Sequence, residues 1–363
     1  MRLFPLEEAR TAFLAKIAPV ASTSMATAKA GGLVLAEDLV ALAATPPQPL
    51  ALDHGYAIAS RASVGASAYL PSLLPDMPAL VEAGAALPPG CDAIVDPDDV
   101  RATTAGAEII AAIAPGRRIR QVGGDLAAGR AIAPAGARLT GSQIAVLRAA
   151  GLTEVPVRVP SVVIIAPKGS CPAASLVMDS IARAGADVSV AYVPEPRLAA
   201  ALTSAASADL VLVAGWSGAA FRSAVAALSA TGQLVGQHLS VSPGAAMACG
   251  FIEADGHSAA VVLLPGRIEE TVAAWLLLAR PVLDGLAGFS GPRPTTVLPL
   301  ARKIASAPGM VDLALVQRQV DRWKPLGAGD ISWVAIAEAE AWLAVPAESE
   351  GFAAGEIVEA EFL

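Results

Sequence analysis

The chain has 363 residues, 55% of them hydrophobic and only 4% aromatic, which suits several domains whose cores are built from small side chains. A formal charge of −8, with no cluster of lysine or arginine, excludes a nucleic-acid partner. Glu7 and Glu8 stand where a signal peptide would be basic, and no uncharged apolar run reaches the roughly 18 residues of a membrane span, so a cytoplasmic protein is expected.

Leu6, Ala9, Phe13 and Ile17 recur at helical spacing and predict a helix over 5–17. A Gly31-Gly32 turn leads into an apolar segment at 33–36, and Pro46-Pro47-Gln48-Pro49 reads as a stiff domain boundary. Short alternating segments between 50 and 120, such as 79–83 and 108–113, predict a small β-rich domain. Thr140 and Gln143 fit a capping box for a helix that Gly151 ends. From 161 the pattern becomes regular. Strands are predicted at 162–166, 187–193, 209–213 and 261–264, alternating with helices at 175–184, 196–206 and from 267 through 278. Such alternation implies right-handed crossovers onto a mostly parallel sheet. A linker is predicted at 285–294 and a small β-domain beyond it, where Trp323, Trp333 and Trp342 are read as core. Cys91, Cys171 and Cys249 are odd in number and widely spaced, so they read as buried small residues rather than a disulfide or metal framework. His238 and His257 are read as structural or exposed, on a strand and in a turn, and Asp98 and Asp99 as a solvated turn.

The segment Val213-Ala214-Gly215-Trp216-Ser217-Gly218-Ala219-Ala220 carries the most chemistry. It follows a buried strand where a parallel sheet presents its ligand sites, and a glycine-rich loop there would offer backbone N–H groups to a phosphate or other anion. Trp216 falls in its middle, where a side chain filling the mouth would exclude a ligand.

Four motifs occur in order. They are Gly84-Ala85-Ala86-Leu87-Pro88-Pro89-Gly90-Cys91-Asp92-Ala93-Ile94-Val95, Ile119-Arg120-Gln121-Val122-Gly123-Gly124-Asp125, the stretch from Pro46-Pro47 to Gly55-Tyr56-Ala57, and Leu264-Pro265-Gly266. Together they resemble the molybdopterin molybdenumtransferase family, the MoeA and gephyrin E-domain proteins, across nearly the whole chain. The resemblance implies insertion of molybdenum from molybdate into adenylylated molybdopterin, with Mg²⁺ as cofactor and AMP released. It also implies a homodimer, and a molybdoenzyme is a further candidate partner.

By the same resemblance, the fold is an α/β multidomain. A three-layer α/β domain with a mostly parallel sheet (156–290) is joined by a β-rich inserted domain (46–120) and a C-terminal β-domain (291–363). An elongated dimerisation segment comes from 1–45 and 121–155. The resemblance puts Asp125 at the catalytic and metal-binding aspartate, with Asp53 or His54 near a second one. Read from the residues alone, Asp125 is equally a turn or capping aspartate, and His54 a tolerated polar residue. Gly215, Ser217 and Gly218 fall on the pterin-phosphate loop, and Lys168 and Arg267 on strand-end loops able to grip an anion.

Several chemistry-bearing positions depart from the family pattern. Gly124 replaces a glutamate, Lys168 to Cys171 lose two acids, Ser223 replaces an aspartate, and Ser242 and Ala245 replace two lysines. Divalent metals need oxygen ligands and phosphates need cations or N–H donors. The expectation is therefore a molybdenumtransferase homologue with lost or altered catalysis. The alternatives are a non-catalytic cofactor-binding or scaffold protein, and an enzyme acting on another small anion through Lys168 and Arg267.

Overall fold

The computed structural model describes residues 3–363 apart from Ser170 and Asp255, so the part of the 167–171 motif at Ser170 lies outside the described residues. The chain divides into two compact units, Met1–Glu37 with Ala135–Ile144 and Glu154–Leu363, and Asp38–Pro134 with Ala145–Thr153.

The larger unit is organised around a six-stranded sheet. Its strands run in the order Asp187–Val193, Ser161–Pro167, Leu210–Trp216, His257–Pro265, Ala248–Ala254 and Gly232–Gln237. The first four are parallel, as the alternating pattern predicts, and the last two are antiparallel. Strands covered on both faces read as continuous apolar runs, which is why Leu210–Ala214 shows no alternation.

Helices cover both faces. On one face lie α1 (Leu6–Leu14), α3 (Pro172–Arg183), α6 (Ile268–Ala274) and α7 (Arg280–Ala287). On the other lie α4 (Leu198–Ser204) and α5 (Gly218–Thr231). Between α1 and α3, α2 (Gly141–Ala149) begins at the expected capping box. Thr140 N donates to Gln143 Oε1 at 2.9 Å, and Gln143 N donates to Thr140 Oγ1 at 3.3 Å.

Four expectations need correction. The predicted strand at 209–213 continues to Trp216 and meets α5 almost directly, so no glycine-rich loop separates them. The predicted linker at 285–294 begins inside a helix. After α6, Trp275–Ala279 forms a π-helical turn and α7 runs on to Ala287, where Gly288 at φ 66° ends it. Pro281 explains the π turn, because a proline near the start of α7 removes an N–H that a regular ladder would use. Finally, Trp333 is not core: it opens α8 (Trp333–Glu338) and is 69% exposed, whereas Trp323 is fully buried. His238 also lies just past its predicted strand, in a left-handed conformation.

The C-terminal part of this unit is a sheet containing Thr295–Pro299, Val311–Gln319, Arg322–Ala328, Ala341–Val345 and Ile357–Phe362. It shares the α/β core through Val311, Leu313 and Leu315, and a chain of charges runs Arg138–Asp284–Arg293–Glu361–Arg280. The smaller unit is built largely from short strands, including the three-stranded sheet Ala79–Val81, Gly55–Ile58 and Ala93–Val95.

Candidate functional site

In the larger unit the strand order fixes where a ligand site falls. The chain passes from Ser161–Pro167 outward to Asp187–Val193, then back across to Leu210–Trp216. Its first crossover helix, α3, lies on one face and α5 on the other. The direction therefore reverses between Pro167 and Trp216, and a crevice opens at the carboxyl ends of strands at such a reversal. Lys168, Gly215, Ser217, Gly218 and Arg267 all follow or end these strands, so the structure brings the five candidate binding residues to one edge.

Gly215 controls that edge. It adopts φ 82°, and a Cβ there would overlap Cys171 Sγ and stand 3.2 Å from Pro167 Cδ. Leu210, Leu212 and Ala214 face the α3 side and Val211 and Val213 the α5 side, as strand alternation requires. Alternation would send Trp216 to the α3 side. Instead the pairing register shifts between Val213 and Trp216, and Trp216 packs with Val213, Phe221 and Leu228 on the α5 side. It is only 6% exposed. The tryptophan thus does not plug the mouth, which the sequence had left open; the left-handed glycine turns it into the core. Its Nε1 is buried without a hydrogen-bond partner among the described residues.

What remains at the mouth is open. Ser217 is the N-cap of α5, its side chain makes no capping bond, and Ser217, Gly218 and Ala219 are exposed. A Cβ on Gly218, at φ 56°, would meet nothing within 4 Å. The first N–H groups of α5 are oriented to receive an anion, favoured by the positive end of the helix. Lys168 is exposed across the reversal point and makes no ion pair among the described residues.

Sequence reasoning passed over three residues at this edge. Glu195, placed by the Pro194-Glu195-Pro196 turn, accepts from Ser223 Oγ at 3.0 Å, so a carboxylate stands beside the position where the family motif has its aspartate. Glu269, in the first turn of α6, is buried and bound to Arg267 and Trp333. Acids in a helix's first turn are a readable signal, but only the fold shows that Trp333 is the other partner. Burial pushes the Glu270 carboxyl above its ordinary range, against the pull of Arg267.

In the smaller unit the acidic candidates lie in exposed bends. Asp53 and His54 fall between the strands Leu50–Ala51 and Gly55–Ile58. Asp53 Oδ2 lies 3.4 Å from Arg118 Nε, and His54 Nδ1 lies 3.1 Å from Glu82 Oε1. Arg118, at φ 56°, also reaches Asp96 at 2.9 Å and holds that carboxyl below its ordinary range through the hydrogen bond. Asp125 Oδ1 is 3.0 Å from Arg120 Nε. Both candidate aspartates are therefore paired with arginines two residues apart.

A resident Mg²⁺ requires carboxylate and water oxygens in octahedral array. Each aspartate offers one oxygen outside its arginine contact, and no group of three or more His, Cys, Asp or Glu is gathered for a metal among the described residues. This donor set does not fit a metal site built within the smaller unit.

Comparison with known proteins agrees with the geometry. Residues 4–151 match the model of the MoeA N-terminal region, domains I and II. The chain is 27% identical over 375 residues to molybdopterin molybdenumtransferase 2 of Mycobacterium tuberculosis, covering 90% of this chain and 91% of that one. Its structure is similar to the molybdopterin biosynthesis MoeA protein of Pyrococcus horikoshii, with TM-score 0.80, 25% identity and 99% of both chains covered. A molybdenum cofactor biosynthesis protein from Pyrococcus furiosus shares the fold at TM-score 0.64 and 19% identity, over 100% of both chains. No helix among the described residues is long and apolar enough to cross a membrane. By the N-terminal match, the near full-length relative and the shared architecture, the chain is similar over its length to the MoeA proteins of molybdenum-cofactor biosynthesis.

Proposed function

We propose that this chain binds molybdopterin, or its adenylylated form, as substrate, and that its molybdenum-insertion chemistry is altered or lost. The observation that carries the reading is the contrast between the two charged regions. The start of α5 is uncapped and open, with Ser217, Gly218 and Lys168 available to a phosphate. Asp125 and Asp53 are engaged by Arg120 and Arg118. Ser217 would donate its hydroxyl to a phosphate oxygen, the α5 N–H groups would hold the remaining oxygens, and Lys168 would balance the charge. Asp125 would act on molybdate or a metal only after release from Arg120.

The family resemblance supports three further parts of the proposal. The protein is a cytoplasmic homodimer, its four-part organisation is the one given above, and a molybdoenzyme receives its product or cargo. In the alternative reading the chain is a scaffold that holds cofactor without chemistry. The engaged aspartates favour it.

The test is complementation of a strain lacking its molybdenumtransferase with the wild-type chain and with Asp125→Ala, read by molybdoenzyme activity, beside retention of molybdopterin on the purified protein. The expected outcome is retained pterin without Asp125-dependent rescue. Rescue that Asp125→Ala abolishes would overturn the altered chemistry, and failure to retain pterin would overturn the binding site.

A further inference from the structure

One buried carboxylate organises two exposed side chains at the end of the central sheet. Glu269 is 5% exposed, yet both of its oxygens serve groups that face solvent. Oε1 pairs with Arg267 Nη2, and Oε2 accepts a hydrogen bond from Trp333 Nε1 at 3.4 Å. Trp333 is 69% exposed, and so is the Arg267 side chain.

Folding alone does not account for this arrangement. Helix α8 packs inward through Ala335, with Trp333 and Val334 outside. An indole left in water contributes little burial, and ordering it beside a long arginine costs side-chain entropy. The geometry instead matches preorganisation for a ligand. The carboxylate fixes the edge of the indole and one corner of the guanidinium, leaving the π face and the other N–H donors free. The pair also sits where the parallel sheet presents ligands: Arg267 follows the strand His257–Pro265, beside Trp216 and Ser217, whose atoms approach Gly266 closely.

We propose that Arg267 and Trp333, positioned by Glu269, form a platform for a planar heteroaromatic ring that carries a phosphate or carboxylate. The indole stacks on the ring and the outer donors of Arg267 take the anion. Glu269 is a positioning residue and touches no ligand. This rests on the reading that the same edge receives a phosphate-bearing pterin, and it names what grips the ring. Two sources share the chemistry, the pterin itself and the adenine of an adenylylated substrate.

The experiment is calorimetric titration of the full-length protein with AMP, with pterin-6-carboxylate and with inorganic phosphate. Wild type is compared with Trp333→Ala, Trp333→Phe and Arg267→Gln. The Trp333 variants should melt close to the wild type because the indole is exposed, whereas Arg267→Gln keeps an N–H donor but no charge for the buried Glu269 and should melt lower; a thermal scan checks that each variant is folded at the titration temperature. Stacking of a base on an aromatic residue is worth roughly 1–3 kcal/mol, so Trp333→Ala should weaken the ring ligand by about fivefold or more. Trp333→Phe should keep most of the affinity, and Arg267→Gln should lower it with the ring still held. Inorganic phosphate should be indifferent to Trp333.

Binding of AMP alone identifies adenine as the ring, and binding of pterin-6-carboxylate alone identifies the pterin. Equal affinity in wild type and Trp333→Ala, or no binding of either ring, overturns the platform. If molybdopterin is retained while Trp333 proves irrelevant, only the platform fails. If AMP binding depends on Trp333 while molybdopterin is not retained, only the pterin reading fails.

Discussion

Gly215→Ala tests the account of how the strand-end edge is built. The substitution adds one carbon at φ 82°, a left-handed conformation that costs a non-glycine residue about 1–2 kcal/mol. That carbon would overlap Cys171 Sγ and press on Pro167 Cδ at 3.2 Å, and overpacking of this kind costs about 1–3 kcal/mol. The stiffer unfolded chain returns about 0.4–1 kcal/mol. The net expected loss is about 1–5 kcal/mol. The two causes separate in a double-mutant cycle: Cys171→Ala removes the overlapping sulfur and should restore about 1–3 kcal/mol of the packing cost, leaving the backbone cost untouched. Denaturant unfolding followed by tryptophan fluorescence suits the measurement, because Trp216, Trp275, Trp323, Trp333 and Trp342 all lie in the larger unit. An unchanged midpoint for Gly215→Ala, or strictly additive single and double variants, would refute the assigned close contact.

Trp216→Phe should cost less than about 1.5 kcal/mol, because it deletes an unpartnered buried N–H along with some volume, whereas Trp216→Ala should cost about 3–5 kcal/mol. Circular dichroism during urea unfolding distinguishes them, and equal losses would contradict the orphaned donor. Asp284→Asn removes the carboxylate shared by Arg138 and Arg293. Because the cluster is only partly buried, the expected loss is about 2–3 kcal/mol, and a variant as stable as wild type would mean the charge chain is idle. Burial raises the Asp312 carboxyl above its ordinary 3.8. The folded state therefore holds the proton more tightly than the unfolded one, so this group's contribution is fully present below about pH 3.8 and lost as pH rises through the folded value. Asp312→Asn should accordingly raise the melting temperature at pH 7 relative to wild type and lose that advantage at pH 3.5. The same shift at both pH values would assign the effect to something other than ionisation.

The alternating units after residue 160 were readable because buried parallel strands leave unbroken apolar runs and helices leave a 3.6-residue period. The capping pair Thr140 and Gln143 was equally legible, since its bonds are local. The direction of Trp216 was not legible, because alternation would send it to the α3 side and only the register shift between Val213 and Trp216 turns it to the α5 side. Trp333 was misread because spacing among apolar residues cannot distinguish a core indole from one held at the surface by a distant acid. The antiparallel strand Ala248–Ala254 was missed because the close backbone approach at Gly250 replaces side-chain patterning. The arginine partners of Asp53 and Asp125 were missed because sequence does not show that strand Ile119–Arg120 lies against Leu50–Ala51.

The altered positions are also not independent of one another. At Gly124, where the family motif has glutamate, a Cβ would stand 2.8 Å from Arg120 Cδ and 2.9 Å from the Gln121 carbonyl oxygen. Arg120 lies over that glycine and reaches Asp125. A glutamate at 124 would have to displace Arg120, and displacing Arg120 would free the Asp125 carboxylate. The missing acid and the engaged acid are thus two sides of one packing arrangement. At the other edge, Cys171 occupies the space that Gly215 leaves open, and Gly215 in turn directs Trp216 into the core. A glutamate at position 124 therefore requires Arg120 to move, and its effect on Asp125 passes through that arginine.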